Sequence, residues 1–159
     1  LQTNNKNRKE MDFAVNRLTS ADIDLAKQLF WFFQEDDGIS RPVIPTDDYL
    51  RDLLSKDYFH VLVALYGDIL IGGVTGYELT MYKREIKEMF LYEIAVKPTF
   101  REKGVAKALI ERLKHVCKEK GIEEMYVGTS TPNKAAMALY ASTGGEQEPD
   151  IAWFVYQCS

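Results

Sequence analysis

Apolar and polar residues alternate over residues 13–18, and at Thr19-Ser20-Ala21-Asp22 the spacing turns helical. The alternation predicts a first strand. The Thr/Ser/Asp group supplies N-cap chemistry for a helix over residues 21–34, with Ile23, Leu25, Ala26, Leu29, Phe30 and Phe33 on its apolar face. Trp31 and Phe32 make the end of that helix apolar nearly all round, which fits either packing on two sides or one wall of a cleft. Gly38, Pro42 and Pro45 mark residues 36–45 as loop, and Thr46 can cap a short helix over residues 47–54. Two apolar, β-branched runs, residues 58–65 and 69–79, flank Tyr66-Gly67-Asp68 and read as a hairpin. Gly72, Gly73 and Gly76 fall inside its second strand, where glycine marks a bulge or close backbone approach.

The next strand, residues 89–96, is an apolar run broken by one carboxylate, Glu93, and closed by Pro98. Residues 104–120 carry the strongest helical pattern, with Val105, Leu109, Leu113 and Val116 in one stripe and Gly121 as terminator. A strand over residues 122–128 and an alanine-rich helix over residues 133–142, capped by Asn133, follow. The apolar run 151–157 reads as a last strand, which could pair across a homodimer or lie inside the sheet. Strands placed before, between and after helices predict a mixed α/β domain, residues 12–159, preceded by a polar, disordered lead-in over residues 1–11.

Composition narrows the function classes. A chain of 159 residues with net charge −4 has no basic footprint for nucleic acid. No apolar run approaches the roughly 18 residues of a membrane span, and the N-terminal residues lack a signal-peptide core, so a cytoplasmic location is expected. Two cysteines and two histidines form no metal signature, so no metal is expected. The acids cluster at Glu35-Asp36-Asp37, at Asp47-Asp48, and at Glu146, Glu148 and Asp150. Each cluster could be solvated loop charge or part of a negative rim that steers a cation.

The chemistry concentrates between Glu93 and Ala106. A strand feeding a glycine turn and a helix N-terminus offers unpaired N–H groups and a positive dipole to an anion. Arg101, Glu102, Lys103, Gly104, Val105 and Ala106 form this turn, without the lysine-serine ending of a P-loop. A lone carboxylate in a buried strand is costly unless it is paired or used, so Glu93 is a candidate base, with Glu78 as competitor.

The order of strand, Arg-x-x-Gly-x-Ala turn, long helix and then a short helix from Asn133 to Tyr140 resembles the GNAT superfamily of N-acetyltransferases. That resemblance implies a twisted, mostly antiparallel mixed sheet flanked by helices, its strands splayed at an acetyl-CoA site. It implies that residues Arg101 to Ala106 bind the pyrophosphate and that Ile94, Ala95 and Val96 pair with the pantetheine arm. Tyr140 would stand near the thioester sulfur as an acid, with Asn133 a helix cap first and a cofactor contact second. Glu93, Glu78, Glu35, Asp36 and Asp37 would meet a small cationic amine. More narrowly, Asp48-Tyr49-Leu50, Leu91-Tyr92-Glu93-Ile94-Ala95-Val96 and Ala138-Leu139-Tyr140 resemble the aminoglycoside 3-N-acetyltransferases. This chain has Glu93 where that family has aspartate, and Ser130, Asn133 and Lys134 where that family is acidic. Acetylation of a protein amine and non-catalytic binding of acyl-CoA are the competing functions.

Overall fold

A computed structural model describes residues 11–158; the expected lead-in lies outside them, apart from Met11. The described residues fall into two compact units, one ending at Gly128 and one beginning at Thr129. The first holds a five-stranded sheet in the order β1-β2-β3-β4-β5: β1 Ala14–Arg17, β2 Phe59–Tyr66, β3 Ile69–Thr80, β4 Lys87–Val96 and β5 Glu124–Val127. The first four strands pair antiparallel, and β4 pairs parallel with β5, which gives the mixed sheet expected.

Two helices, α1 Ile23–Asp36 and α2 Asp47–Leu54, cover one face. Leu29, Phe33, Leu50 and Leu54 pack there with Phe59, Val61 and Val63 of β2, and Tyr77 and Ala95 join the same cluster. Thr46 caps α2 as expected, its hydroxyl accepting from the Tyr49 N–H. Helix α1 runs two residues beyond its expected end, so Glu35 and Asp36 are helical. Asp22 does not cap it with its side chain, because that carboxylate accepts from the Thr19 N–H and hydroxyl instead.

Helix α3, Val105–Glu119, covers the other face. Its stripe of Val105, Leu109, Leu113 and Val116 is fully buried, worth about 2 kcal/mol per side chain before entropy is charged. Gly76 opens onto this helix: a Cβ there would sit 2.8 Å from Met89 Sδ and 3.4 Å from a Leu113 methyl. On the opposite face, a Cβ on Gly73 would fall 2.5 Å from a Leu29 methyl. These two glycines let both helix layers approach the same strand.

One feature of β4 positions the site. Thr75 of β3 pairs with Glu93 and Gly76 pairs with Leu91, so Tyr92 is a bulge. Bulges bend a strand and re-aim the next side chain. Beyond Leu91, β5 has ended, and residues Tyr92 to Val96 pair only with β3 among the described residues.

The second unit contains α4, Lys134–Ser142. The expected last strand over residues 151–157 does not form: Ile151, Phe154, Val155 and Tyr156 are exposed, and the segment joins no ladder among the described residues. An apolar run sets β propensity, but a strand exists only where another strand accepts its hydrogen bonds.

Candidate active site

The turn after β4 leaves a run of main-chain amides bare. A single 3-10 turn, Pro98–Phe100, carries the chain off the strand. Glu102 and Gly104 then take left-handed conformations, at φ 60° and 84°. Gly104 is the N-cap residue of α3 and has open space where a Cβ would go, so its glycine answers to backbone conformation rather than to packing. The N–H groups of Glu102 to Ala106 have no acceptor among the described residues. The first turn of α3 carries no acid that would offset its dipole. The unpaired edge of β4 runs into this turn. A chain bearing backbone-like amides could lie along that edge and end in a phosphate on the turn, as acetyl-CoA would require.

The turn's cationic side chains are occupied. Arg101 Nε donates to the Val96 carbonyl at 2.9 Å, and its Nη2 donates to Asp36 Oδ1 at 2.7 Å. Lys103 Nζ donates to the Thr99 carbonyl at 2.8 Å and lies 5.3 Å from the centre of the Phe100 ring. Main-chain amides are therefore the free donors here, and Arg101 faces the acidic end of α1.

Glu93 lies on the α1–α2 face, the face of Ala95, and is half-buried. Burial, with Asp37 and Asp36 nearby, pushes its carboxyl up to about 7. Its carboxylate accepts no side-chain or loop hydrogen bond among the described residues. A carboxyl that titrates near neutrality and is committed to no partner suits a general base. Aromatic rings flank it along the sheet, a feature the sequence reading did not single out. Tyr77 and Tyr92 meet edge to face at 5.7 Å, Tyr92 and Phe90 at 5.8 Å, and Phe90 stacks on Tyr126 at 5.2 Å.

Glu78 does not share this site. It lies on the α3 face with Gly76, almost wholly buried. Its carboxylate takes a 2.6 Å hydrogen bond from His60 Nε2 and ion pairs from Lys87 at 3.0 Å and Lys120 at 2.6 Å. Burial alone would raise its pKa, but the hydrogen bonds from Lys120, Lys87 and His60 prevail and hold it at about 2. Such a group is a permanent anion and a poor base at neutral pH. The expectation that Glu78 competes with Glu93, or touches the acceptor, is corrected by its place across the sheet. His60 is fully buried, and burial lowers its pKa; its Nδ1 has no hydrogen-bond partner among the described residues.

Of the acidic group, Asp36 and Asp37 belong with Glu93. Glu35 instead borders a depression of about 580 Å³ beside Trp31, Phe32, Ile44 and Lys97. At the end of α1, Phe32 and Phe33 are packed, and exposed Trp31 borders the depression together with the edge of Phe32. Asp47 and Asp48 are spent on ion pairs with Lys27 and Arg51. Cys117 is buried and its thiol is pushed up to about 11 by burial, so it is inert. No group of three or more potential ligands is placed to hold a metal among the described residues, and no described helix is long and apolar enough to cross a membrane.

In the second unit, Asn133 caps α4, its Oδ1 accepting from the Ala136 N–H at 3.1 Å. Tyr140 is half-buried on the same helix, and burial raises its pKa, so the phenol keeps its proton.

The acetyltransferase (GNAT) family model matches residues 26–144. An aminoglycoside acetyltransferase from an uncultured soil metagenomic sample, solved in complex with sisomicin, superposes with a TM-score of 0.87 at 28% identity, covering 92% of this chain and 97% of that one. A second soil metagenomic aminoglycoside acetyltransferase gives 0.84 at 31% identity over 94% of this chain and 100% of that one. The aminoglycoside N(6′)-acetyltransferase type 1 of Salmonella typhimurium is 28% identical over 123 residues, 74% of this chain and 85% of that protein.

Proposed function

Because this chain belongs to the acetyltransferase (GNAT) family, we propose that it moves an acetyl group from acetyl-CoA to a primary amine of a small cationic acceptor of the aminoglycoside class. The observation that carries this reading is the position of Glu93. It is a carboxyl poised at about 7, beside two further acids, on the strand whose open edge leads to the anion-binding turn.

Acetyl-CoA, when bound, supplies an electrophilic thioester. The N–H groups of Glu102 to Ala106 would hold its diphosphate, and the open edge at Ile94, Ala95 and Val96 would hold its amide arm. An amine arrives as an ammonium, which is not nucleophilic. Asp36 and Asp37 attract it, and Glu93 takes its proton directly or through a water. A main-chain N–H near Ala95 would donate to the negative charge developing on the carbonyl oxygen. Tyr140, whose phenol burial keeps protonated, would be the proton donor to the departing sulfur. The tyrosines beside Glu93 offer flat faces to a sugar ring.

Thiol release from acetyl-CoA in the presence of sisomicin, followed with a thiol reagent, tests the reading. Turnover above the acceptor-free blank is expected. Absence of turnover, together with no calorimetric heat on adding acetyl-CoA, would overturn it.

A further inference from the structure

Acids at a helix C-terminus oppose the dipole, and α1 ends in Glu35 and Asp36, followed by Asp37, with no basic residue in its last turn. The missing cation arrives from 65 residues away. Arg101 holds Asp36 with one end of its guanidinium and the Val96 carbonyl with Nε, tying the end of α1 to the end of β4. The loop beyond α1 is pinned a second time. Gln34 donates through Nε2 to the Val43 carbonyl at 3.0 Å and accepts from the Val43 N–H at 2.9 Å. The Arg101 tie holds the acidic corner against β4, the strand that carries Glu93, and the Gln34–Val43 pair fastens the following loop back onto α1. Asp37 and Asp36 of that corner are the charged neighbours of Glu93.

We propose that Arg101 is a positioning residue for the acceptor site: its two-point clamp between the Val96 carbonyl and Asp36 sets the acidic corner beside Glu93, and it does not bind the diphosphate of acetyl-CoA. This departs from the role implied for the arginine of the turn by resemblance, and it rests on the reading of Glu93 and the acids as the acceptor site. The geometry separates the two roles. A diphosphate ligand needs charge at one end. A clamp needs two donors held in a fixed fork, which lysine cannot supply.

The test compares Arg101→Gln, Arg101→Lys and Asp36→Asn with the unsubstituted protein. Acetyl-CoA affinity is read by calorimetry, and the KM for sisomicin by thiol release at saturating acetyl-CoA. Arg101 and Asp36 are both substantially solvent-accessible, so the variants should fold. The clamp predicts acetyl-CoA affinity within threefold of the original in all three. It predicts a KM for sisomicin raised at least about fivefold by Arg101→Gln, not restored by Arg101→Lys. It also predicts that Asp36→Asn together with Arg101→Gln costs no more than the larger single change, because the two share one contact. A loss of acetyl-CoA affinity beyond threefold in Arg101→Gln that lysine restores, or a KM for sisomicin unmoved by Arg101→Gln, overturns the proposal. An unsubstituted protein that binds acetyl-CoA but leaves sisomicin untouched refutes the acceptor reading instead, and the calorimetric arm then decides the role of Arg101 by itself.

Discussion

Glu93→Gln should yield a protein that is inactive and, at alkaline pH, more stable than its parent. Glutamine keeps the shape and removes the charge. The carboxyl moves from an ordinary 4.5 to about 7, with burial first among the causes, then Asp37 and Asp36. The unfolded chain therefore gives up the proton at lower pH than the folded one. Stability should fall as pH rises from about 4.5 to about 7 and stay low above it. A shift of that size in a dry site corresponds to about 3 kcal/mol, and partial solvent access reduces it to about 1 kcal/mol. At pH 8 the variant should gain that amount, a rise in Tm of roughly 2 to 4 °C for a chain of this length. At pH 4 the two proteins should melt together. In activity, kcat/KM of the parent should climb about tenfold between pH 6 and pH 8, as the base goes from about one tenth to about nine tenths ionised. Glu93→Gln should flatten that limb and lower kcat at least about 100-fold, with acetyl-CoA affinity retained. Melting curves at pH 4 and pH 8 and thiol-release rates across the range read all of this. A Glu93→Gln protein within threefold of parental turnover, or one no more stable at pH 8, would refute the assignment.

Tyr140→Phe should lower kcat about tenfold without weakening acetyl-CoA, by removing the proton for the departing sulfur; unchanged kcat in stopped-flow thiol release counts against that role. Gly104→Glu should abolish acetyl-CoA binding by calorimetry, since it sets a carboxylate at the head of α3 and forces φ 84° on a residue with a Cβ. Retained affinity would place the diphosphate elsewhere. Glu78→Gln should destabilise by about 3 kcal/mol, because it leaves Lys87 and Lys120 without their shared counter-charge, and it should leave the KM for sisomicin unaltered from across the sheet. With its pKa held at about 2, Glu78 contributes stability that is present above about 4.5 and lost as pH falls toward 2, so acid melting of the parent should be steeper there than that of the variant.

Much of the framework was legible because its causes are local. The stripe of Val105, Leu109, Leu113 and Val116 is periodic in the chain and buried in the fold. Thr46 caps its helix, and Gly121, at φ 65°, ends α3, as their residue types dictate. The Gly104 turn was readable for the same reason. The errors share another cause. Alternation within a strand says which residues share a face, but not which helix covers that face. Glu78 and Glu93 therefore looked equivalent until α3 took one and α1 the other. The bulge at Tyr92 arises from how β3 and β4 register, and no residue of β4 announces it. Residues 151–157 carry strand composition and lack a ladder.

Residue order alone was enough to place the four helices and the strands that find partners, the turn with bare amides, and the solitary Glu93 of an apolar strand. That Glu93 titrates at about 7 while Glu78 is a locked anion, and that Arg101 turns toward Asp36, follows from how the sheet packs between its helix layers. Periodicity, capping and glycine conformation act between neighbours in the chain. Electrostatic environment depends on which distant groups share a low-dielectric space, and nothing local signals the meeting of Asp36 with Arg101 across a sequence separation of 65.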